Sequence, residues 1–181
     1  GGAGVVASDV GRVDKPIKCR TRLNDYGSGR VWGNDLVVVA AGRADVLVPA
    51  MNVIWNPDAG RSFSGVDISV AVSTARGLVT PVLRGLEQMT LSGVATASSD
   101  LVDRARSGRR QQAALEGGTL TATNLGGSGA GGFDAISNAP RSALLAGGGR
   151  RQQPGGDSGR REGGGGGSAE VVGADAAGGR V

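Results

Sequence analysis

Cys19 is the only thiol in a chain of 181 residues that contains no histidine. A Ser/His/Asp triad, a Cys/His nucleophile and a histidine-ligated metal each require an imidazole as base or ligand, so these residues alone build none of them. One cysteine likewise makes no internal disulfide and no multi-cysteine zinc site. Cys19 stands among Lys18, Arg20 and Arg22, a setting for a reactive thiol, but a single cysteine at helical spacing is expected simply to pack. The charged side chains are mostly Arg: the chain has 20 Lys plus Arg, only Lys15 and Lys18 being lysines, against 16 Asp plus Glu. Arginine suits phosphate, yet a net charge of +4 with two Trp, two Phe and one Tyr is meagre for a nucleic-acid binder. A solvated basic surface and no nucleic-acid partner are expected.

Glycine, at 35 residues, supplies two further motifs. Gly127-Ser128-Gly129-Ala130-Gly131-Gly132 satisfies the G-x-G-x-x-G of a dinucleotide-binding turn, but Pro140 falls where the following helix would have to run. The segment 147–167 resembles an Arg/Gly-rich RNA-binding stretch. It carries only four arginines, offset by Asp157 and Glu162, with no aromatic between them, and reads better as a linker. No run of about 18 apolar residues occurs, so no membrane span is expected. The first residues show neither a charged leader nor an apolar signal core.

The elements that must position any site follow from hydrophobic periodicity. Residues 5–10 read as a short strand. A helix is expected from Asp14, with Pro16 in its first turn, to a stop before Tyr26-Gly27. Asn34 is a candidate N-cap for a second helix carrying Leu36, Val37, Val39, Ala40, Ala41, Ala44 and Leu47, stopped by Pro49. Alternation over 66–73 places Val66, Ile68, Val70 and Val72 on one face of a strand. Residues 78–83 form another extended segment, in which Pro81 argues for a sheet edge or an irregular position. Leu91, Val94, Ala95, Ser98, Leu101, Val102 and Ala105 recur at helical spacing, with Arg104, Arg106, Arg109 and Arg110 towards the C-terminal end. Residues 119–125 alternate like a strand, and 142–146 are a short apolar run that glycine ends. This order predicts an α+β layer with helices over one side of a sheet.

Six of these segments, in order, resemble one family, the catalytic core of the dihydrolipoyl acyltransferases of 2-oxo-acid dehydrogenase complexes. Val13-Asp14-Lys15 through Leu23-Asn24 is similar to the first helix of that core. Asn34-Asp35-Leu36-Val37-Val38 with Ala40-Ala41 is similar to its N-D-hydrophobic-A-A helix, and Asn52-Val53-Ile54-Trp55 to its N-x-x-W strand. The most specific signature is matched by Val66-Asp67-Ile68-Ser69-Val70-Ala71-Val72 with Gly77-Leu78-Val79-Thr80-Pro81-Val82. Gly117-Gly118-Thr119-Leu120-Thr121-Ala122-Thr123-Asn124-Leu125-Gly126 resembles the G-G-T-F-T-I-S-N-L-G strand and loop. Asn138-Ala139-Pro140 and Ala143-Leu144-Leu145-Ala146-Gly147-Gly148 complete the order.

The resemblance implies a chloramphenicol-acetyltransferase-like α+β fold, a mixed sheet with helices on one side, that forms trimers. It implies an active site in a channel between subunits, entered by coenzyme A from one end and a dihydrolipoyl arm from the other. In that chemistry the histidine of a D-H-R-x-x-D-G motif deprotonates the attacking thiol, and the serine of T-I-S-N stabilises the oxyanion. Here Thr123, followed by Asn124, stands at the serine position. The D-H-R-x-x-D-G region is best matched from Asp175 to Arg180, so that Ala176 replaces the base and Arg180 the second acid. No catalytic residue is therefore expected, and Thr123, Asn124, Asp175, Ala176 and Arg180 are degenerate positions.

A member with the fold and without the base resembles the non-catalytic, dihydrolipoamide-dehydrogenase-binding branch of the pyruvate dehydrogenase group, whose fungal forms retain an acyltransferase-type core. The implied organisation is a core over 1–147, a Gly/Arg-rich flexible loop over 148–168, and a terminal strand with the degenerate segment over 169–181. The final helix and the upstream lipoyl and subunit-binding domains are expected to lie outside this chain. The implied partners are further copies of the chain, the dihydrolipoyl acetyltransferase core, and dihydrolipoamide dehydrogenase through the upstream domain, in the mitochondrial matrix. No cofactor is expected here, because the lipoyl group is carried upstream. Coenzyme A would bind only in the alternative, an active acetyltransferase whose catalytic segment is truncated or misplaced in this sequence.

Overall fold

A computed structural model describes residues 4–5, 8–27, 29–55, 59–108, 117–124, 141, 143–154, 165–174 and 176–177. In chain order the elements are β1 (Gly4–Val5), β2 (Ser8–Arg12), α1 (Asp14–Tyr26), α2 (Gly33–Leu47), β3 (Val53–Trp55), β4 (Gly60–Ser62), β5 (Ile68–Val70), β6 (Val72–Thr74), β7 (Gly77–Val79), β8 (Val82–Leu83), α3 (Leu91–Arg106), β9 (Leu120–Asn124), β10 (Ala143–Pro154), β11 (Gly165–Ala174) and β12 (Ala176–Ala177). Single 3-10 turns at Pro49–Met51 and Leu86–Gln88 complete the set. Among the described residues no helix is long and apolar enough to cross a membrane.

The central sheet has six strands in the order β2-β11-β10-β9-β5-β8. β9 runs parallel to both β5 and β10, whereas the β10–β11, β11–β2 and β5–β8 pairs are antiparallel. Alternation turns Ile68, Val70, Leu120, Ala122 and Ala143 to one face, where they share a core with Val38 and Ala41 of α2 and Val94, Leu101 and Ala105 of α3. Ile68 and Val38 are fully buried, and each such side chain contributes about 1.5–3 kcal/mol of apolar burial. Ser69, Thr121 and Thr123 alternate onto the opposite face.

Local chemistry sets the helix ends. The Thr90 hydroxyl accepts the Gly93 N–H at 3.1 Å and caps α3, whose last turn holds Arg104 and Arg106 against the C-terminal dipole. α2 starts one residue before the expected Asn34 cap. The buried Asp35 carboxylate accepts the Trp32 N–H at 2.7 Å, which satisfies the entry from inside the helix instead. Asn24 ties the end of α1 to that entry, donating to the Val31 carbonyl at 3.1 Å and accepting its N–H at 2.7 Å.

Four expectations are corrected. The strand over 66–73 is two strands broken at Ala71: Val70 N–H donates to the Pro81 carbonyl on the β8 side and Ala71 N–H to Ala122 on the β9 side, as in any interior strand, and from Val72 the chain leaves the sheet to pair with Val79 in the β6–β7 hairpin. The extended segment over 78–83 breaks correspondingly at Thr80-Pro81, with Pro81 at the irregular position between the strands and β8 as the short sheet edge beside it. The loop over 148–168 is strand at both ends, and the core sheet runs past residue 147. Arg150 pairs with Ala169, Arg151 with Ser168 and Gln153 with Gly166, because ladder hydrogen bonds use backbone groups that glycine and arginine supply as well as valine. Residues 155–164 lie outside the described residues. The short strand over 5–10 is likewise two strands, β1 pairing with β12 and β2 with β11.

Candidate functional site

β9 carries the candidate hydroxyl, and a set of buried polar contacts fixes its start. Thr119, just before the strand, donates its hydroxyl to Asn52 Oδ1 at 2.7 Å, with both residues buried and 67 positions apart. The Asn52 amide in turn donates to the carbonyls of Phe63 and Gly65 at 2.8 and 2.9 Å. One asparagine therefore gathers the approach to β3, the connection after β4 and the start of β9. Thr119 N–H also donates to the Asp67 carbonyl at 3.1 Å, and Ser69 lies beside Thr121 in register.

The two glycines before Thr119 are demanded by geometry. Gly117 and Gly118 have φ of +94° and +79°, where a Cβ is strained. A Cβ on Gly118 would in addition stand 2.5 Å from Ser69 Oγ and 3.3 Å from Ser69 N. Ser69 is itself fully buried, and its hydroxyl has no hydrogen-bond partner among the described residues.

Two carboxylates hold the strand on the other side of β5. Asp67 accepts the Gly85 N–H at 2.9 Å and the Arg84 guanidinium at 3.0 Å; Arg84 is half exposed, so the ion pair adds little and the backbone contact matters more. Glu87 accepts the Val66 N–H at 2.8 Å, and that hydrogen bond holds its carboxyl below the usual range. Elsewhere, burial on α2 pushes the Asp45 carboxyl up to about 6 and leaves one of its oxygens without a partner among the described residues. Arg141, bridged to Ile54, donates to Thr80 Oγ1 at 3.4 Å, and its partial burial lowers its pKa.

Within this frame Thr123 is half-buried on β9 beside Ala146, and Asn124 ends the strand beside Gly147. Ala176 lies on β12, paired with Val5 in a separate two-stranded sheet, so one chain does not carry it and Thr123 on the same sheet. Asp175 and Arg180 lie outside the described residues, as does the G-x-G-x-x-G segment 127–132. Cys19 is exposed on α1 rather than packed. Among the described residues no group of three His, Cys, Asp or Glu side chains could hold a metal. The Asn52–Thr119 contact was not evident from the sequence; its only signal was the pair of glycines ahead of a polar strand residue.

A mixed sheet with helices on one side, arranged in this order, is the chloramphenicol acetyltransferase fold. A chloramphenicol acetyltransferase superposes with a TM-score of 0.60 at 14% identity, covering 94% of this chain and 78% of the other. The dihydrolipoamide acetyltransferase of Azotobacter vinelandii superposes with a TM-score of 0.89 at 23% identity, over 97% of this chain and 73% of that one. The profile of the 2-oxoacid dehydrogenases acyltransferase catalytic domain matches residues 4–161, and the chain belongs to that family. It is 36% identical over 135 residues, 75% of this chain, to the acetyltransferase component of the mitochondrial pyruvate dehydrogenase complex of Dictyostelium discoideum. The corresponding protein of Schizosaccharomyces pombe is 38% identical over 136 residues, 74% of this chain. The matches span 21% and 28% of the lengths of those relatives.

Proposed function

We propose that this chain is a structural, catalytically inactive acyltransferase core of the pyruvate dehydrogenase complex, of the kind called protein X. It would form a trimer, dock in the dihydrolipoyl acetyltransferase assembly of the mitochondrial matrix, and carry upstream segments that recruit dihydrolipoamide dehydrogenase. The supporting observation is family membership combined with the absence of any histidine among the 181 residues. Acyl transfer to coenzyme A needs a base for a thiol whose ordinary pKa is about 8.5, and no other side chain here has an unperturbed pKa suited to that task. Tethering works without chemistry, by raising the effective concentration of the enzyme it holds.

A second reading is an active acetyltransferase core whose histidine lies elsewhere in the polypeptide. It is favoured by the retained hydroxyl of Thr123 on β9, which could donate to an oxyanion, and by relatives that are named as acetyltransferase components. Acetyl transfer from S-acetyldihydrolipoamide to coenzyme A, followed by chromatographic separation of the acetyl-coenzyme A formed, tests the choice. The structural reading expects no rate above the uncatalysed one. A measurable rate, or a D-H-R-x-x-D-G encoded beyond Val181 in the gene, would overturn it in favour of the enzyme.

A further inference from the structure

We propose that the outward face of α1, continued by the turn after it, is a docking surface for an acidic protein segment with aliphatic residues between its carboxylates. This inference stands independently of the functional reading. A shallow concavity of about 600 Å³ runs along the helix, lined by Lys15, Lys18, Cys19, Arg22, Leu23 and Tyr26 and closed by Gly27. Gly27 also borders a second one, of about 460 Å³, formed with Asn24, Gly29 and Arg30. The groove therefore continues from the helix to Arg30, whose guanidinium sits 4.3 Å over the Trp32 ring. Lys15, Lys18 and Arg22 are all exposed, and neither Asp14 nor Asp25 of the same helix lines either concavity.

Spacing selects the ligand. At 1.5 Å per residue the cations from Lys15 to Arg22 are strung over about 10 Å, and the phenol of Tyr26, 91% exposed, extends the stripe to about 16 Å. A phosphate calls for donors that converge on one point, which three side chains spread along two helical turns do not provide. Charges one turn apart, with Cys19 between Lys18 and Arg22 and Leu23 between Arg22 and Tyr26, match carboxylates set along a peptide, where complementarity steers encounter and the apolar floor supplies contact.

The single cysteine in the groove gives a site-specific readout. The rate of maleimide reaction at Cys19 is measured on the full chain with a synthetic twelve-residue peptide alternating Glu and Leu pairs, with its Gln-for-Glu counterpart, with sodium pyrophosphate and with coenzyme A. The acidic peptide is expected to slow labelling several-fold, an effect that weakens as salt rises, while the Gln peptide leaves it unchanged. The triple variant Lys15→Gln, Lys18→Gln, Arg22→Gln should weaken binding about tenfold, since exposed pairs each contribute modestly. Arg76→Gln, Arg104→Gln, Arg106→Gln, with the same change in net charge, should bind as the unaltered chain does. Equal protection by pyrophosphate or coenzyme A would make the groove a phosphate site and overturn the proposal. So would equal weakening by the second triple variant, or no protection by any probe.

Discussion

Replacing Gly118 by Ala puts a methyl group into two conflicts of different kind. The backbone there has φ of +79°, which costs an L-residue about 1–2 kcal/mol. The new Cβ also stands 2.5 Å from Ser69 Oγ, on a side chain with no room to retreat because it is fully buried, and overpacking of that kind costs about 1–3 kcal/mol. The expected loss is about 2–5 kcal/mol, read as a shift of the urea midpoint at constant slope. Gly117→Ala is the internal comparison. With φ of +94° and only the Arg84 guanidinium 3.4 Å away, it should lose the backbone part alone, about 1–2 kcal/mol. Ser69→Ala removes an unpartnered buried hydroxyl and should stay within about 1 kcal/mol of the parent, yet combined with Gly118→Ala it should recover most of the overlap part. Equal losses at the two glycines, or strict additivity of Gly118→Ala with Ser69→Ala, would refute the reasoning.

Thr119→Val strands the buried Asn52 Oδ1 and should cost about 1–3 kcal/mol by the same denaturation assay, whereas Asn52→Ala, which frees two carbonyls as well, should cost more. Asp45 titrates in the folded chain at about 6 against 3.8 when free, so the folded state holds the extra proton and stability should fall as pH rises from about 4 to 6, by up to about 3 kcal/mol. Asp45→Asn should flatten that part of the pH profile and raise stability at pH 7, and an unchanged profile would show that burial does not strain the carboxylate. Under the structural reading Thr123→Ala leaves association with the acetyltransferase core unchanged, as sedimentation would report. A loss of acetyl transfer on that substitution would instead place Thr123 in a working site.

Much of this fold was legible because periodicity and packing agree. Along α3 the apolar positions Val94, Ala95, Leu101 and Ala105 are the buried ones, and the cationic last turn needs no tertiary partner to be read. What a single sequence hides is where backbone groups go. Nothing in V-D-I-S-V-A-V-S announces that the chain changes partner after Ala71, from β9 and β8 to the β7 strand of its own hairpin, since side-chain alternation continues unbroken through the break. The Gly/Arg-rich stretch after residue 147 misleads for the opposite reason: it has few side chains to bury, yet its backbone can complete a ladder against β11. The site is similarly divided. Thr123 and Asn124 were placed on their strand by the resemblance, whereas the pairing of Asn52 with Thr119 needs two residues 67 positions apart to be seen together. Of the segment expected to match D-H-R-x-x-D-G, Ala176 falls on β12, while Asp175 and Arg180 lie outside the described residues.

Assembly without chemistry is decided by the mass of the purified chain in solution, measured alone and after mixing with an active dihydrolipoyl acetyltransferase core. The account predicts a trimer that enters the larger particle and adds no acetyl-transfer activity to it. A chain that stays monomeric and ignores the core, or one that raises the transfer rate of the mixture, would contradict it.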